Sequence, residues 1–393
     1  MGTDGGRTVQ LVLVDRSGLP LGVTPAFDVE LPWWQEAGPV VRGARRAFGL
    51  DVVVLRLLEA GSWPGGKVTY VAEALSPPAI PLAPAPVLDE QPLRLTYARA
   101  GGPAADIAWA DDHLARIGRP RTGPAEQVRT WNLSSLWRLP AAGGPTWLKV
   151  VPPFFAHEPA LIRLLDDPVL PPLLAGEPGR SLLEEVAGTD GYEASSAAWL
   201  DQLSHLVRLQ RSTFGRTDEL LSAGLPDRRA APLAARIERA AGVARPAFDA
   251  PERAALDALV LSVEPRLARA AALGVPDGFV HGDAHPGNAR FTADTCVALL
   301  DWGDAVVGNP LLDLSVVAAF RPEADEVLTG WLELWQAALP AADISAAWAE
   351  VRPLGNLRAA AVFQGFLDAI EPAERRYHES DPVAALRRAI AEA

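Results

Sequence analysis

Residues 278–304, GFVHGDAHPGNARFTADTCVALLDWGD, decide the fold of this chain. The stretch carries Asp283 and, five residues later, Asn288; after a short hairpin pattern it carries Asp301 in an Asp-x-Gly turn. At that spacing a carboxylate can hold an attacking hydroxyl while the Asn oxygen ligates magnesium, and the later Asp supplies a second ligand. Val280, Phe291 and residues 297–300 read as strands with buried apolar side chains. Such a hairpin brings the two ligand positions towards one Mg-nucleotide, so a phosphoryl-transfer centre is the economical reading.

Two blander readings stand beside it. His281 and His285 lie four apart with Asp283 between them, which on a helix is a zinc-pair spacing. Pro286 and Gly287 oppose a helix there, and no third ligand of suitable spacing follows. The other reading makes these residues loop and turn structure only. The joint pattern is more specific than either half.

HGDAHPGN followed by LLDWGD resembles the signature of the aminoglycoside phosphotransferase and choline kinase family, relatives of the protein kinases. The resemblance implies Asp283 as the catalytic aspartate, Asn288 and Asp301 as magnesium ligands, and His281 as a structural residue of the loop. Asp313, in GNPLLDLS, matches a position that is usually a fold-stabilising acid in that family. Asp304 is acidic as in many members and receives no metal role. Where many members have a histidine near the end of a preceding helix, this chain has Gln210, which leaves the loop's packing partner open.

At 393 residues the chain has room for two or three domains, and 49% hydrophobic content is ample for ordinary cores. Its single cysteine, Cys296, excludes an internal disulfide framework and fits a reducing cytoplasm. No signal peptide and no apolar run of bilayer length is evident, so a soluble, cytoplasmic protein is expected. A net charge of -13 argues against a general nucleic-acid surface and permits a cationic small substrate. Of 36 basic residues only Lys67 and Lys149 are lysines, so a lysine is an informative letter here.

Along the N-terminal part, residues 10–14, 52–57 and 67–73 read as strands and 40–48 as a short helix, an α/β accessory domain spanning residues 1–95. Within it, VVRGARRAFGLDVVVLRL resembles the second half of a Nudix box and its following strand, with Arg42, Gly49 and Leu50 in matching places. The positions of the box glutamates hold Gly43, Arg46 and Ala47, so the resemblance implies a degenerate copy without hydrolase chemistry. An unrelated accessory domain fits the same letters. Residues 76–92 carry six prolines and read as an extended linker. Residues 104–117 are helical in pattern and form a connecting segment, 96–122.

From residue 123 the pattern becomes that of a β-rich N-lobe running with its hinge to residue 188: strands at 127–131, 136–139 and 146–151. The loop 132–135 sits where protein kinases place glycines over the phosphates, and here the Ser134 and Ser135 hydroxyls and backbone amides are the phosphate-contact candidates. Lys149, on the third strand, is placed to reach nucleotide phosphates, the alternative being an edge-strand lysine. Glu158, opening a helix at 158–165, is the candidate partner for that lysine, or else a carboxylate favoured at a helix N-terminus. Residues 181–187 resemble the family's hinge, with backbone groups near Glu184 to Val186 pairing with adenine.

Residues 189–393 then read as a mainly helical C-lobe, with helices at 197–213, 251–273, 323–339, 344–351, 357–369 and 382–391. Trp331, Trp335, Trp348 and Phe363 fall at core spacing, and His205 reads as packed or surface-facing. Trp302, Gln364, Asp368 and Glu371 are pocket candidates. The expected whole is an α+β, two-lobed, protein-kinase-like fold preceded by the accessory domain. The expected function is transfer of the γ-phosphoryl group of ATP, with Mg2+, to a hydroxyl of an aminoglycoside, amino sugar, sugar or amino alcohol. A silent nucleotide- or metabolite-binding regulator with the same fold is the alternative, and a pyrophosphohydrolase the weakest reading because its carboxylates are missing. Neither the acceptor nor the oligomeric state is legible.

Overall fold

The computed structural model describes residues 5–61, 63–316 and 325–392. Its chain divides into two compact units, Met1–Pro153 with Leu173–Glu185 and Leu367–Glu379, and Phe154–Pro172 with Val186–Phe366 and Ser380–Ala393.

The first unit holds two five-stranded sheets. In the N-terminal one, β1 (Arg7–Val14) and β5 (Gly66–Ala74) pair in parallel at the centre, flanked by β4 (Val52–Ala60) on one side and by β2 (Pro20–Val23) and β3 (Phe27–Val29) on the other. A central strand is covered on both faces, so β1 reads as a near-continuous apolar run. Val9, Leu11 and Leu13 pack with Val40 and Ala44 of α1 (Ala37–Phe48), while Val12 and Val14 pack on the opposite face with Leu55 and Val71. Helix α1 stops at Gly49, which takes φ 67° and returns its N–H to Arg45 O. Gly43 is buried on α1 whereas Arg46 and Ala47 are exposed.

Residues 76–92 lack regular structure, as expected, but they are no free tether. Val23 and Ala83 pair through their backbones, and Ala85 and Leu88 close the second face of the sheet.

The second sheet runs β6 (Glu126–Thr130), β7 (Ser135–Leu139), β8 (Thr146–Val150), β10 (Arg180–Glu184), β9 (Leu173–Glu177), all antiparallel. Helix α2 (Gly102–Arg116) covers it, setting Ala110 and Leu114 against Trp137, Leu139, Leu148 and Leu182. Asp106 of α2 is buried beside Arg180 at 3.2 Å, and burial raises its carboxyl to about 6.

Gln127 joins the two sheets. Its Oε1 accepts the Val54 N–H at 2.9 Å and its Nε2 donates to Val54 O at 2.7 Å, so one buried amide satisfies both backbone groups of a residue on the edge strand β4. Residues 367–379 complete the same strand: Glu374 Oε1 accepts the Leu57 N–H at 2.7 Å, and burial pushes this carboxyl up to about 8. Tyr377 lies among the Trp34, Trp63 and Trp131 rings at 5.5–5.9 Å. Glu371, a pocket candidate from sequence, is instead a buried partner of Arg94 at 3.1 Å and Arg56 at 3.8 Å.

The second unit is mainly helical. Helix α4 (Ser196–Ser212) begins at a Ser195 cap, and Trp199, Leu203, Leu206 and Gln210 form its buried face. Helices α6 (Ala230–Ala244) and α7 (Ala250–Ala272) pack together, the latter opened by the reciprocal Asp249–Glu252 cap. Beyond the site lie helices Asp325–Ala338, Ile344–Val351, Gly355–Ala369 and Asp381–Ala391. Residues 323 and 324 of the first expected helix lie outside the described residues. Trp331 and Trp335 are fully buried and Trp348 nearly so, which makes them core. His205 lies half-buried beside the exposed Arg208. No helix among the described residues is long and apolar enough to cross a membrane.

Candidate active site

Two short hairpin-like pairings carry the site in the second unit. β11 (Gly278–Val280) pairs with β14 (Val306–Gly308), and β12 (Ala289–Thr292) pairs with β13 (Thr295–Leu299). The loop from His281 to Asn288 leaves β11 and enters β12. The β12–β13 ladder is extended by one bond, Leu300 N–H to Asn288 O at 2.8 Å, which sets Asn288 beside the residue that precedes Asp301. This is how a local hairpin converges two positions thirteen residues apart in sequence.

Asn288 Nδ2 donates to Asp283 Oδ2 at 2.9 Å and to Asp283 O at 3.0 Å. A carboxylate accepts only, so the amide nitrogen must face Asp283 and the Asn288 Oδ1 is left as an oxygen donor for a cation. The Asp283 side chain is 41% exposed. Asp301 is exposed and takes φ 62°, ψ 69°, a left-handed conformation that only a few per cent of non-glycine residues adopt and that recurs at functional sites. Trp302, next in the chain, is fully buried, packing on His281 and Phe279 at 4.6 and 5.8 Å, so it is core rather than pocket wall. Its backbone N–H donates to Glu158 Oε1 at 3.2 Å, tying the Asp-x-Gly turn to the first residue of α3 (Glu158–Leu165).

Beneath the loop lies a buried polar cluster. Asp313, with no exposed surface, accepts from His281 N–H at 2.8 Å, Gly282 N–H at 2.7 Å and Gln210 Nε2 at 2.7 Å. Gln210 is therefore the loop's packing partner that the sequence left open. Burial raises the Asp313 carboxyl, against the opposing pull of His281, Arg358 and the two backbone donors. His281 is also fully enclosed, and burial lowers its pKa. Its Nε2 lies 3.2 Å from Leu300 O and its Nδ1 accepts the Asp283 N–H at 3.3 Å, so both ring nitrogens serve the loop and neither is available to zinc. Arg358 Nη2 donates to Gly282 O at 3.0 Å.

Gly282 has φ 91°, and a Cβ there would overlap Asp304 O and come within 2.8 Å of Arg358 Nη2. Gly282→Ala should cost about 2–4 kcal/mol from left-handed strain plus overpacking. Urea denaturation checks this, and a cost below about 0.5 kcal/mol would mean that the loop is not held as described.

Magnesium is tested against these donors. A hard cation wants oxygen ligands, and in phosphoryl-transfer sites one or two protein groups suffice because substrate phosphates and waters complete the shell. Asn288 Oδ1 and the Asp301 carboxylate fit that demand. Among the described residues no set of three or more His, Cys, Asp or Glu could hold a metal ion by itself.

The remaining predicted residues lie as follows. Lys149 stands on β8, the middle strand of its sheet, paired to Leu136 and Ser181; the edge-strand alternative is thereby overturned. Ser135 is buried, its Oγ lying 3.0 Å from Thr130 Oγ1 and accepting Trp137 Nε1 at 2.9 Å, while Ser134 Oγ accepts Trp131 Nε1 at 3.1 Å. Asn132 of the same loop is buried and donates to Glu374 O at 3.1 Å. Glu184 ends β10 and its carboxylate takes the Arg119 guanidinium; Val186 follows, half-buried. Gln364 is buried and Asp368 exposed. Sequence reading missed Arg358 and Gln202, whose Nε2 donates to Ala284 O at 3.3 Å, because support of a loop by distant side chains leaves no local spacing.

A model of a phosphotransferase enzyme family, designated APH, matches residues 153–354. That match begins past the N-terminal sheet. Among solved structures, macrolide 2'-phosphotransferase MphH from Brachybacterium faecium aligns with a TM-score of 0.50 and 17% identity, covering 71% of this chain and 97% of that one. The GDP complex of aminoglycoside 2'-phosphotransferase-IIIa aligns with a TM-score of 0.53 and 14% identity, covering 73% and 99%. The GDP and kanamycin complex of APH(2")-IIIa gives 0.51 and 15%, covering 73% and 99%. At these identities the likeness concerns the fold, which is the two-lobed, protein-kinase-like one. No curated protein matches the sequence.

Proposed function

The chain belongs to the phosphotransferase enzyme family and is a small-molecule kinase, and from that premise we propose that it transfers the γ-phosphoryl group of Mg-ATP to a hydroxyl of a small molecule. The observation that carries this is the Asn288–Asp283 bond at 2.9 Å, which fixes a base and a magnesium ligand in one geometry. Asp283 orients the acceptor hydroxyl and receives its proton as the oxygen attacks in line. Magnesium, held by Asn288 Oδ1 and Asp301, supplies charge neutralisation on the transferring group. Lys149 contacts the nucleotide phosphates, Glu158 supports it, and backbone groups of Glu184 to Val186 meet the base. Ser134 and Ser135 offer their backbone amides and hydroxyls to the phosphates, since an Oγ that accepts an indole N–H keeps its own O–H to donate.

Aminoglycosides, amino sugars, sugars and amino alcohols are the acceptor classes. Hydroxylated anions form a further class to be tested: Arg228, whose Nη1 donates to Asp227 O at 2.7 Å, is lowered to about 10 by burial and by Arg236 and Arg358, against the opposing pull of Asp227. Arg358 in turn bonds the catalytic loop at Gly282. Guanidinium groups held together in this way are relieved by a negative ligand.

The test incubates the protein with Mg-ATP or Mg-GTP and a panel of all five acceptor classes, following nucleoside diphosphate release. Acceptor-dependent release that EDTA abolishes and added magnesium restores is expected. Nucleotide binding without turnover on any acceptor would favour the silent regulator, and metal-independent transfer would remove Asn288 and Asp301 from their assigned roles. Since the N-terminal sheet shares buried hydrogen bonds with β6, its own contribution is better probed by surface substitutions than by deletion.

A further inference from the structure

His285 lies in the catalytic loop, yet neither the phosphoryl-transfer pattern nor the metal assignment uses it. The residue is held from three directions, two of them on its ring. Nδ1 accepts the Gly287 N–H at 3.0 Å, the Tyr192 ring lies over it at 5.8 Å with 33° between planes, and its carbonyl is 3.5 Å from Gln202 Nε2. Gly287 permits this closeness, because a Cβ there would come 2.6 Å from the Tyr192 ring and 2.7 Å from His285 Cε1.

The first of these bonds settles the tautomer. A nitrogen that accepts from a backbone N–H carries no proton of its own, so neutral His285 bears its hydrogen on Nε2. Nε2 lies 3.6 Å from Asp283 Oδ2, beyond hydrogen-bond length here. Catalytic hydrogen bonds are often long in the free enzyme and tighten once substrates bind. The same Oδ2 accepts Asn288 Nδ2 at 2.9 Å.

We propose that His285 is a positioning residue for Asp283: with substrates bound, its Nε2–H donates to Asp283 Oδ2. Two donors, Asn288 Nδ2 and His285 Nε2, then fix the rotation of the carboxylate and leave Oδ1 to receive the acceptor proton. The acceptor oxygen forms its bond to the γ-phosphorus, the bond from that phosphorus to the departing diphosphate breaks, and the proton passes to Asp283 Oδ1. His285 exchanges no proton in this step. The inference rests on the reading of Asp283 as the base.

Two substitutions separate its two nitrogens. His285→Gln places an amide N–H at the depth of Nε2 and gives up the Gly287 bond; His285→Asn keeps an acceptor at the depth of Nδ1 and gives up the donor to Asp283. The expected result is that His285→Gln keeps kcat within about threefold of the wild type. His285→Asn should lower kcat by about 10- to 100-fold, the scale of lost orientation, with unchanged KM for nucleotide and acceptor and unchanged Tm. The reverse order, or two unaffected variants, would overturn the proposal. A readout independent of any acceptor is the nitrogen-15 spectrum of the histidine rings, with the His285 signals assigned by their loss in His285→Gln. A neutral Nε2–H tautomer is expected and an Nδ1–H tautomer overturns the proposal. If Asp283→Asn proved fully active, the base reading would fail by itself, whatever His285 does.

Discussion

Asp283→Asn should lower phosphoryl transfer by about 10²–10⁴-fold, the range by which a positioned general base accelerates such a step. The substitution is nearly isosteric and falls on a side chain 41% exposed, so little packing is disturbed. The Asn carbonyl can still accept from Asn288 Nδ2, which keeps the Asn288 side chain in place. What disappears is the oxygen able to take the hydroxyl proton. Nucleotide affinity by calorimetry and Tm should therefore stay close to the wild type while kcat collapses. A variant retaining more than about a tenth of the wild-type kcat would place the base elsewhere, because a lost base costs at least about a hundredfold.

Asp313→Ala should have the largest effect on stability, about 3–5 kcal/mol. The carboxylate lies wholly inside and receives three hydrogen bonds, two of them from consecutive backbone N–H groups of the catalytic loop. Removing it leaves His281 N–H, Gly282 N–H and Gln210 Nε2 buried without an acceptor, each a desolvation cost of about 1–3 kcal/mol. Asp313→Asn should recover little, since an amide offers one acceptor oxygen and turns a donor against other donors. The measurement is urea denaturation with an unchanged m-value, paired with activity, which should fall as the loop loses its support. A loss below about 1 kcal/mol would show that water replaces the carboxylate, and the buried cluster would then not be what holds the loop.

The candidate site was legible because it is local. Asp283, Asn288 and Asp301 lie in one stretch, and strand alternation on either side already dictates a hairpin. Most of the helices were equally plain, since a 3.6-residue apolar period needs no partner to be seen. The expected helices at 158–165 and 344–351 match their observed bounds, and the others differ by a few residues at their ends. Strands β2, β3, β9, β10 and β14, of three to five residues, were missed because such runs show little period, β10 falling where a hinge was expected at 181–187. Helices α5 (Thr217–Ser222) and α6 were missed as well. The first has only six residues, and the second is so rich in alanine and arginine that its apolar face is faint.

By itself the sequence determined the candidate reacting groups, the family resemblance and most of the succession of helices and longer strands, because each is written in neighbouring residues through side-chain type and period. Only the tertiary structure decided which groups hold those residues in place: Gln210 beneath the loop, Arg358 on Gly282, Gln127 and Glu374 on the bare edge of β4. The physical reason is burial. A backbone or carboxylate group taken from water must find a partner wherever the fold brings one within about 3 Å. The partner's distance along the chain, 103 residues from Gln210 to Asp313 and 317 from Leu57 to Glu374, bears no relation to that need.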